Sequence, residues 1–296
     1  MKELRQNGEC HGTIGHDVSV AGLRLVETVY RPGSQLRPPG HELATFTLMM
    51  AGRYTAHGRI ETWVCTPPAV LFRPAGDDCG GGFDGDGGRW LRLELEPSWL
   101  SRHGWRGCEA PLCYRDGGRL AWLMVEMYRE LQVMDGVSSI ALEGLALDLM
   151  AATSRLTLAR GNGKAGWLEQ VEGILRENLA APLRMREIAT TVGVHPVSLA
   201  RAFHRRFGLS AGEYARKLRV EHASRELASS DKPVAAIASA AGFANKSHLT
   251  RTFKFHTGMT PREYRSVFRH ARPRFPNAPP GVDRITPPKP NLEHTG

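Results

Sequence analysis

The sequence predicts an α+β chain: an N-terminal antiparallel β-barrel, a helical hairpin, and a C-terminal all-α domain made of two helix-turn-helix units. Three observations predict it. Short apolar or alternating runs broken by Gly and Pro fill residues 22–95, the apolar period becomes helical from residue 120, and one unit of sequence occurs twice between residues 185 and 269. The 296 residues suffice for two domains, each with its own core.

The first part contains the runs Leu23–Tyr30, Ala44–Met50, Tyr54–Ile60, Ala69–Phe72 and Trp90–Leu95. Arg31-Pro32-Gly33, Pro38-Pro39-Gly40, Pro67-Pro68 and the Gly-rich stretch 80–88 separate them. Short strands at this spacing suit a small barrel or sandwich. Asp84-Gly85-Asp86-Gly87-Gly88 hints at a calcium loop, but Leu95 stands where the twelfth-position carboxylate belongs, so a hairpin turn is expected there.

Helical spacing follows. Leu120, Leu123, Met127 and Leu131 form one stripe, and Leu142, Leu145, Leu149 and Leu156 another, with Asp135-Gly136 as the turn between them. Such a hairpin suits a partner subunit or packing on the barrel, and dimerisation is the expectation. Arg160-Gly161-Asn162-Gly163-Lys164 reads as a flexible linker; it lacks the length and the following Ser/Thr of a phosphate loop. Residues 271–296 hold seven prolines and almost no large apolar side chains, which predicts a disordered tail.

Charge is unevenly placed. Residues 164–270 carry 18 Lys/Arg against 9 Asp/Glu, whereas residues 1–163 carry 17 against 19. The excess of the whole chain, +9, therefore belongs to one third of it, as expected for a module that binds a polyanion. No apolar run is long enough for a membrane span and the N-terminus lacks a signal-peptide pattern, so a cytoplasmic, membrane-free protein is expected. Cys10, Cys65, Cys79, Cys108 and Cys113 contain no CxxC and are read as reduced thiols. No serine or cysteine nucleophile with a recognisable partner is present, and no enzymatic activity is expected.

The repeat carries the functional reading. Ile188, Ala189 and Gly193 match Ile237, Ala238 and Gly242; Leu199, Arg201, Phe203, Gly208 and Tyr214 match Leu249, Arg251, Phe253, Gly258 and Tyr264. In the first unit Met185–Val192 is a short helix, Gly193 the turn, and His195-Pro196 the start of a second helix with Pro where no N–H is needed. Leu199 and Phe203 point inward, leaving Val197, Ala200, Arg201 and His204 outside. In the second unit Asn245 caps a helix anchored by Leu249 and Phe253, leaving Lys246, Ser247, Thr250, Arg251 and Lys254 for DNA. An Arg in register in both units suits a bidentate grip on guanine or a phosphate contact. A helix over about 211–229, opened by the capping-box spacing Ser210…Glu213, separates the units, and Thr260…Glu263 repeats the device. Trp167, Leu168, Val171, Ile174 and Leu175 form a supporting helix ahead of both.

The stretch Ile237-Ala238-x-x-Ala241-Gly242-Phe243-x-x-x-Ser247-x-Leu249-x-Arg251-x-Phe253-Lys254, continued by Gly258-x-Thr260-Pro261-x-x-Tyr264-Arg265, resembles the signature of the AraC/XylS family of transcriptional regulators. The likeness covers about Trp167 to Arg269. It implies seven helices with two reading heads on adjacent major grooves of double-stranded DNA, a homodimer, and RNA polymerase as a partner. Contacts would fall on Val197, Ala200, Arg201, Lys246, Ser247, Thr250 and Arg251. The first unit departs from the pattern, with His195 in place of a capping Ser and Ala211 in place of Pro.

Residues 1–115 look like the cupin-like sensor barrel common in that family, through Gly52, Pro67-Pro68 and Leu71-Phe72-Arg73-Pro74-Ala75-Gly76. A small-molecule effector is expected there, with His41, Glu42 and Arg73 as its pocket. The metal-binding cupin pattern is not met: only His41, Glu42 and Cys79 stand near it, so no metal or other cofactor is expected. The expected organisation is then a sensor at 1–115, a dimerisation hairpin at 116–160, a linker at 161–166, the DNA-binding domain at 167–270 and the tail at 271–296. Two alternatives stay open: a thiol or metal sensor using Cys79, Cys108 and Cys113, and a cupin-like enzyme fused to DNA-binding helices. A non-specific architectural DNA-bending protein is a third class.

Overall fold

The computed structural model describes residues 12–36, 42–58, 61–77, 80–105, 111–161, 166–180 and 184–269. The N-terminal half holds β1 (Gly12–Val20), β2 (Leu23–Tyr30), β3 (Gln35–Leu36), β4 (Ala44–His57), β5 (Thr62–Cys65), β6 (Val70–Arg73), β7 (Gly80–Leu95), α1 (Pro97–Arg102) and β8 (Leu112–Tyr114). The hairpin follows as α2 (Gly118–Val133) and α3 (Ser138–Gly161). The C-terminal region is α4 (Gly166–Glu177), α5 (Met185–Thr191), α6 (Pro196–Phe207), α7 (Ala211–Ser229), α8 (Val234–Ala240), α9 (Lys246–Thr257) and α10 (Pro261–Arg269). The expected tail, most of the expected linker, and Cys10, His41, Cys79 and Cys108 lie outside the described residues.

The strands form one antiparallel sheet in the order β1-β2-β7-β4-β6-β8, with β3 added to β7 and β5 to β4. Its spine is the pair β4–β7, which runs from Ala44 opposite Leu95 to His57 opposite Gly80. Two sequence expectations are corrected here. The runs 44–50 and 54–60 belong to one strand, β4, through His57, and the Gly-rich stretch 80–88 is strand rather than punctuation. The glycines are there for close approach: a Cβ on Gly81 would lie 2.3 Å from the Thr55 carbonyl, and one on Gly52 2.1 Å from that of Gly87. Gly52 also has φ +84°, a conformation costly for any residue with a side chain. The hairpin turn expected at 84–88 is a bulge within β7, where the register jumps from Gly52 opposite Gly88 to Tyr54 opposite Phe83. Arg53 reaches Asp84 across it at 3.1 Å. β1, which precedes the region read as strands, adds an edge next to β2.

Alternation divides the sheet's two faces. Leu91, Leu93 and Leu95 join Phe46, Leu48, Val70 and Phe72 on the face packed against helices. Each such fully buried side chain contributes about 1.5–3 kcal/mol. Trp90, Arg92 and Glu94 point the other way, into an interior shared with Tyr30, Met49, Tyr54, Leu71 and Phe83.

The expected stripe of α2 is buried, but so are Ala121, Trp122 and Val125 on its other sides. A helix apolar around its circumference is a buried helix, and α2 lies between the sheet and the second helix-turn-helix unit. The same apolar core therefore continues from the sheet through α2 into Val220, Ala223, Leu227, Ile237, Leu249, Phe253 and Tyr264. The first unit has a separate core of Leu168, Val171, Ile188, Leu199, Phe203, Tyr214 and Leu218. The indole N–H of Trp122 donates to Ser224 Oγ at 3.0 Å, and Asp116 accepts from Arg225 at 2.5 Å and Arg176 at 3.3 Å. The stripe expected to meet a partner subunit is thus covered within the chain over Leu120, Leu123, Met127, Leu131, Leu142 and Leu149. Of that stripe Leu156 stays exposed, together with Val133, Val137, Ile140 and Leu147 outside it.

Candidate functional site

The two candidate reading helices, α6 and α9, are positioned by the same local devices. α5 ends at Thr191 with Val192 as its C-cap, and Gly193 takes φ +70°, which turns the chain toward α6. His195 caps α6: its Nδ1 accepts from Val197 N at 3.3 Å, so the imidazole does the work for which Ser is usual. In the second unit Gly242 takes φ +75°, and the Asn245 side chain accepts from His248 N at 2.8 Å to start α9. Asn245→Ala is expected to cost about 1 kcal/mol of stability, the usual worth of such a cap. Urea denaturation checks it; an unchanged midpoint would contradict the cap.

Leu199 and Phe203 on α6, and Leu249 and Phe253 on α9, are fully buried and fix the rotation of each helix. That rotation leaves Val197, Ala200, Arg201 and His204 exposed on α6, and Lys246, Ser247, Arg251 and Lys254 exposed on α9. Thr250 is half-buried, with its hydroxyl donating to the Lys246 carbonyl at 2.9 Å. Val197 is 51% exposed, an apolar side chain offered to solvent on an otherwise polar face. No ion pair engages Arg201, Arg251, Lys246 or Lys254 among the described residues. The structure therefore gathers the nine sequence-predicted residues into two exposed faces, four on one helix and five on the other.

α7 joins the units. Its start is a complete capping box, Ser210 Oγ accepting from Glu213 N at 3.3 Å while the Glu213 carboxylate accepts from Ser210 N at 2.8 Å. These bonds hold the Glu213 carboxyl below its ordinary range. Nineteen residues of helix span about 28 Å at 1.5 Å per residue, close to the roughly 34 Å between successive major grooves. Thr260 and Glu263 repeat the reciprocal bonds at the head of α10.

In the N-terminal half two of the three predicted pocket residues, Glu42 and Arg73, are described. Glu42 is exposed just before β4, and His41 lies outside the described residues. Arg73 is buried on the interior face, donating to the Tyr54 hydroxyl at 3.2 Å with Asp77 nearby at 3.8 Å. Sequence reasoning missed its neighbours. Cross-strand register places Thr28 opposite Trp90, Thr47 opposite Arg92, and Thr45 opposite both Glu94 and Arg73, so all of them share one face. On that face Thr28 Oγ1, Thr45 Oγ1, Trp90 Nε1 and Arg92 Nε are buried without a hydrogen-bond partner among the described residues. Buried polar atoms are nearly always satisfied by protein, water or ligand, so such a row is distinctive. The alternation Trp90-x-Arg92-x-Glu94 against Leu91, Leu93 and Leu95 was the signal that could have found it. Among the described residues, no group of three or more His, Cys, Asp or Glu is placed to hold a metal, and no helix is long and apolar enough to cross a membrane.

Comparison with known proteins bears on the helical third. A model of a helix-turn-helix domain matches residues 188–266, both units together. The multiple antibiotic resistance protein MarA of Salmonella typhimurium is 28% identical over 118 residues, which are 40% of this chain and 93% of MarA. The melibiose operon regulatory protein of Escherichia coli is 29% identical over 110 residues, 37% of this chain and 36% of that protein. Among solved structures, a transcriptional regulator with an AraC-type DNA-binding domain from Chromobacterium violaceum is 30% identical, covering 34% of this chain and 91% of its own, with a TM-score of 0.34. The matched region is the duplicated unit with its two capped, outward-facing helices, and by it the chain belongs to the AraC/XylS family of DNA-binding transcription regulators.

Proposed function

We propose that this regulator is controlled by a small-molecule effector held on the interior face of its N-terminal sheet, and that it activates transcription when the effector is bound. The observation that carries the effector is the row Thr28 Oγ1, Thr45 Oγ1, Trp90 Nε1 and Arg92 Nε, buried atoms with no hydrogen-bond partner among the described residues. A water-sized or larger polar ligand would satisfy them, and Tyr30, Tyr54 and Phe83 supply apolar walls. Arg73 and its partner Tyr54 border the same face, which keeps one residue of the originally expected pocket in it. An effector switches the protein only by preferring one arrangement over another. The shared core through α2 offers the route: a change in the sheet reaches the second unit without passing through the linker.

In this reading Arg251 and Arg201 contact bases or phosphates, Lys246, Ser247, Thr250 and Lys254 complete the second head, and His204 lies beside Arg201. Val197 and Ala200 meet thymine methyl groups. The protein works in the cytoplasm without catalytic activity, with RNA polymerase as its partner at the promoter. It forms a homodimer through the exposed side chains of α3, where Ile140 and Leu147 lie seven residues apart on one face. The organisation is a sensor at 1–115, a hairpin at 116–160, a linker at 161–166, a DNA-binding domain at 167–270 and a tail at 271–296.

Genome-wide mapping of bound DNA supplies both the operator and, through the neighbouring genes, candidate effectors. On the operator so found, the full chain is expected to give a slope of log affinity against log salt of about −4 or steeper, since each neutralised phosphate contributes about −0.9. A flat titration would overturn the electrostatic reading. Candidate effectors are then screened by thermal shift; binding at a hundred times Kd stabilises by about 2.7 kcal/mol. A ligand whose stabilisation survives Arg92→Ala and Thr45→Ala would sink the interior site.

A further inference from the structure

Cys65 and Cys113 are 48 residues apart, and nothing in the local sequence of either pairs them. The fold brings their sulfur atoms to 3.5 Å. Cys65 lies at the end of β5 opposite Tyr54 of β4, and Cys113 lies in β8 opposite Leu71 of β6. Both pack into the aromatic interior of the sheet. Cys65 is fully buried and Cys113 partly exposed, so one sulfur is reachable and the other waits behind it. A disulfide needs about 2.05 Å between sulfurs, a movement of roughly 1.5 Å from the present separation, within reach of a three-residue terminal strand such as β8.

We propose that Cys65 and Cys113 form a reversible oxidation site, a dithiol that a peroxide converts to a disulfide bridging β5 and β8. The Cys113 thiolate attacks the peroxide O–O bond, giving a Cys113 sulfenic acid and releasing the other oxygen as hydroxide, which takes up a proton to become water. The Cys65 thiol then attacks the Cys113 sulfur, the S–S bond forms, and the sulfenic oxygen leaves as a second water. Two thiols and one peroxide give one disulfide and two waters; each sulfur loses one electron and the peroxide gains two. The order follows from the surroundings: the hydrogen bond with Cys113, together with burial, pushes the Cys65 thiol up, so the exposed partner supplies the nucleophile.

The site has a path to the DNA-binding region. Three residues after Cys113 stands Asp116, which accepts from Arg225 of α7 at 2.5 Å and Arg176 of α4 at 3.3 Å. Drawing β8 toward β5 pulls on the segment that holds this bridge. The proposal is separate from the effector reading, since it needs no ligand and is read on sulfur.

The test uses the full chain, reduced, freed of reductant and exposed to hydrogen peroxide. Remaining thiols are blocked with N-ethylmaleimide, and digestion with trypsin and a protease that cuts after Asp and Glu separates Cys108 from Cys113 at Glu109 and Cys65 from Cys79 at Asp77 and Asp78. The expected product is a peptide pair joined through Cys65 and Cys113 that dithiothreitol releases. It should persist in a Cys10→Ser, Cys79→Ser, Cys108→Ser triple variant and vanish in Cys113→Ser. Oxidation of the triple variant should also change its affinity for genome-selected DNA by at least threefold, reversibly, with no change in Cys113→Ser. Cys113 joined to Cys79 or Cys108, or both Cys65 and Cys113 still blocked by N-ethylmaleimide after peroxide has oxidised a free cysteine control, would overturn the site. A disulfide that forms while DNA affinity stays constant would overturn its coupling through Asp116.

Discussion

Trp122→Ala is expected to lower the stability of the chain by about 3–5 kcal/mol, the usual cost of truncating a buried aromatic to alanine. Trp122 is 6% exposed and fills the contact between α2 and α7. Its indole N–H donates to Ser224 Oγ, which is itself fully buried and donates onward to the Val220 carbonyl at 2.9 Å. Alanine would leave a cavity between the sheet-bearing half and the second helix-turn-helix unit and would remove the only direct side-chain hydrogen bond described between α2 and α7. Trp122→Phe, which keeps most of the volume and loses the hydrogen bond, should cost about 1 kcal/mol. Urea denaturation followed by circular dichroism measures both. A loss below about 1 kcal/mol for the alanine variant would mean that α2 does not carry the second unit.

Arg251→Ala is expected to weaken specific DNA binding by about 1–3 kcal/mol, or roughly 5- to 150-fold. Arg251 stands exposed on α9, between one and two turns from the cap at Asn245 and on the side opposite the buried Leu249 and Phe253. The pattern of loss separates its two possible contacts. If Arg251 reads a guanine, the loss falls on operator DNA and discrimination at one base pair relaxes. If it grips a phosphate, all sequences weaken alike and the salt slope shrinks by about 1. Fluorescence anisotropy on operator and scrambled duplexes, at two salt concentrations, measures this. Unchanged operator affinity would show that α9 is not the second reading helix. The matching change in the first unit, Arg201→Ala, tests a head whose neighbouring Val197 and Ala200 offer no hydrogen bonds, so its loss should fall on affinity more than on discrimination.

The helical third was largely legible in the sequence because its determinants are local. A cap, a left-handed glycine, a proline at the first turn and two apolar residues four apart specify a short helix and its rotation within a dozen residues. Gly193, Asn245 and the Ser210–Glu213 box are all of this kind, and each acts where it was read, while His195, read as a departure from a capping Ser, caps α6 itself. The N-terminal half was legible only as strands. Gly81, Gly82 and Gly88 read as breaks because glycine alone says nothing of what lies opposite; their purpose is visible only beside the Thr55 carbonyl, the Gln35 side chain and the Phe83 ring. Glu42 was read as a pocket residue from a motif likeness, yet it lies exposed at the start of β4 while the buried polar row sits further along the sheet.

The sequence by itself determined the two candidate reading heads: duplicated residues in register decide which faces of α6 and α9 are buried and hence which are left exposed. Tertiary structure alone decided how those heads are attached. The circumference of α2 is apolar, and no periodicity states which neighbour covers which side; only the packing shows that the sheet takes one side and the second unit another. The row Thr28, Thr45, Trp90 and Arg92, the pair Cys65 and Cys113, and the bridge from Asp116 to Arg176 and Arg225 are likewise contacts across 45 to 109 residues. Such contacts are set by strand register and core packing, which act through space; a short window shows at most that Trp90, Arg92 and Glu94 share a face, never what lies opposite them.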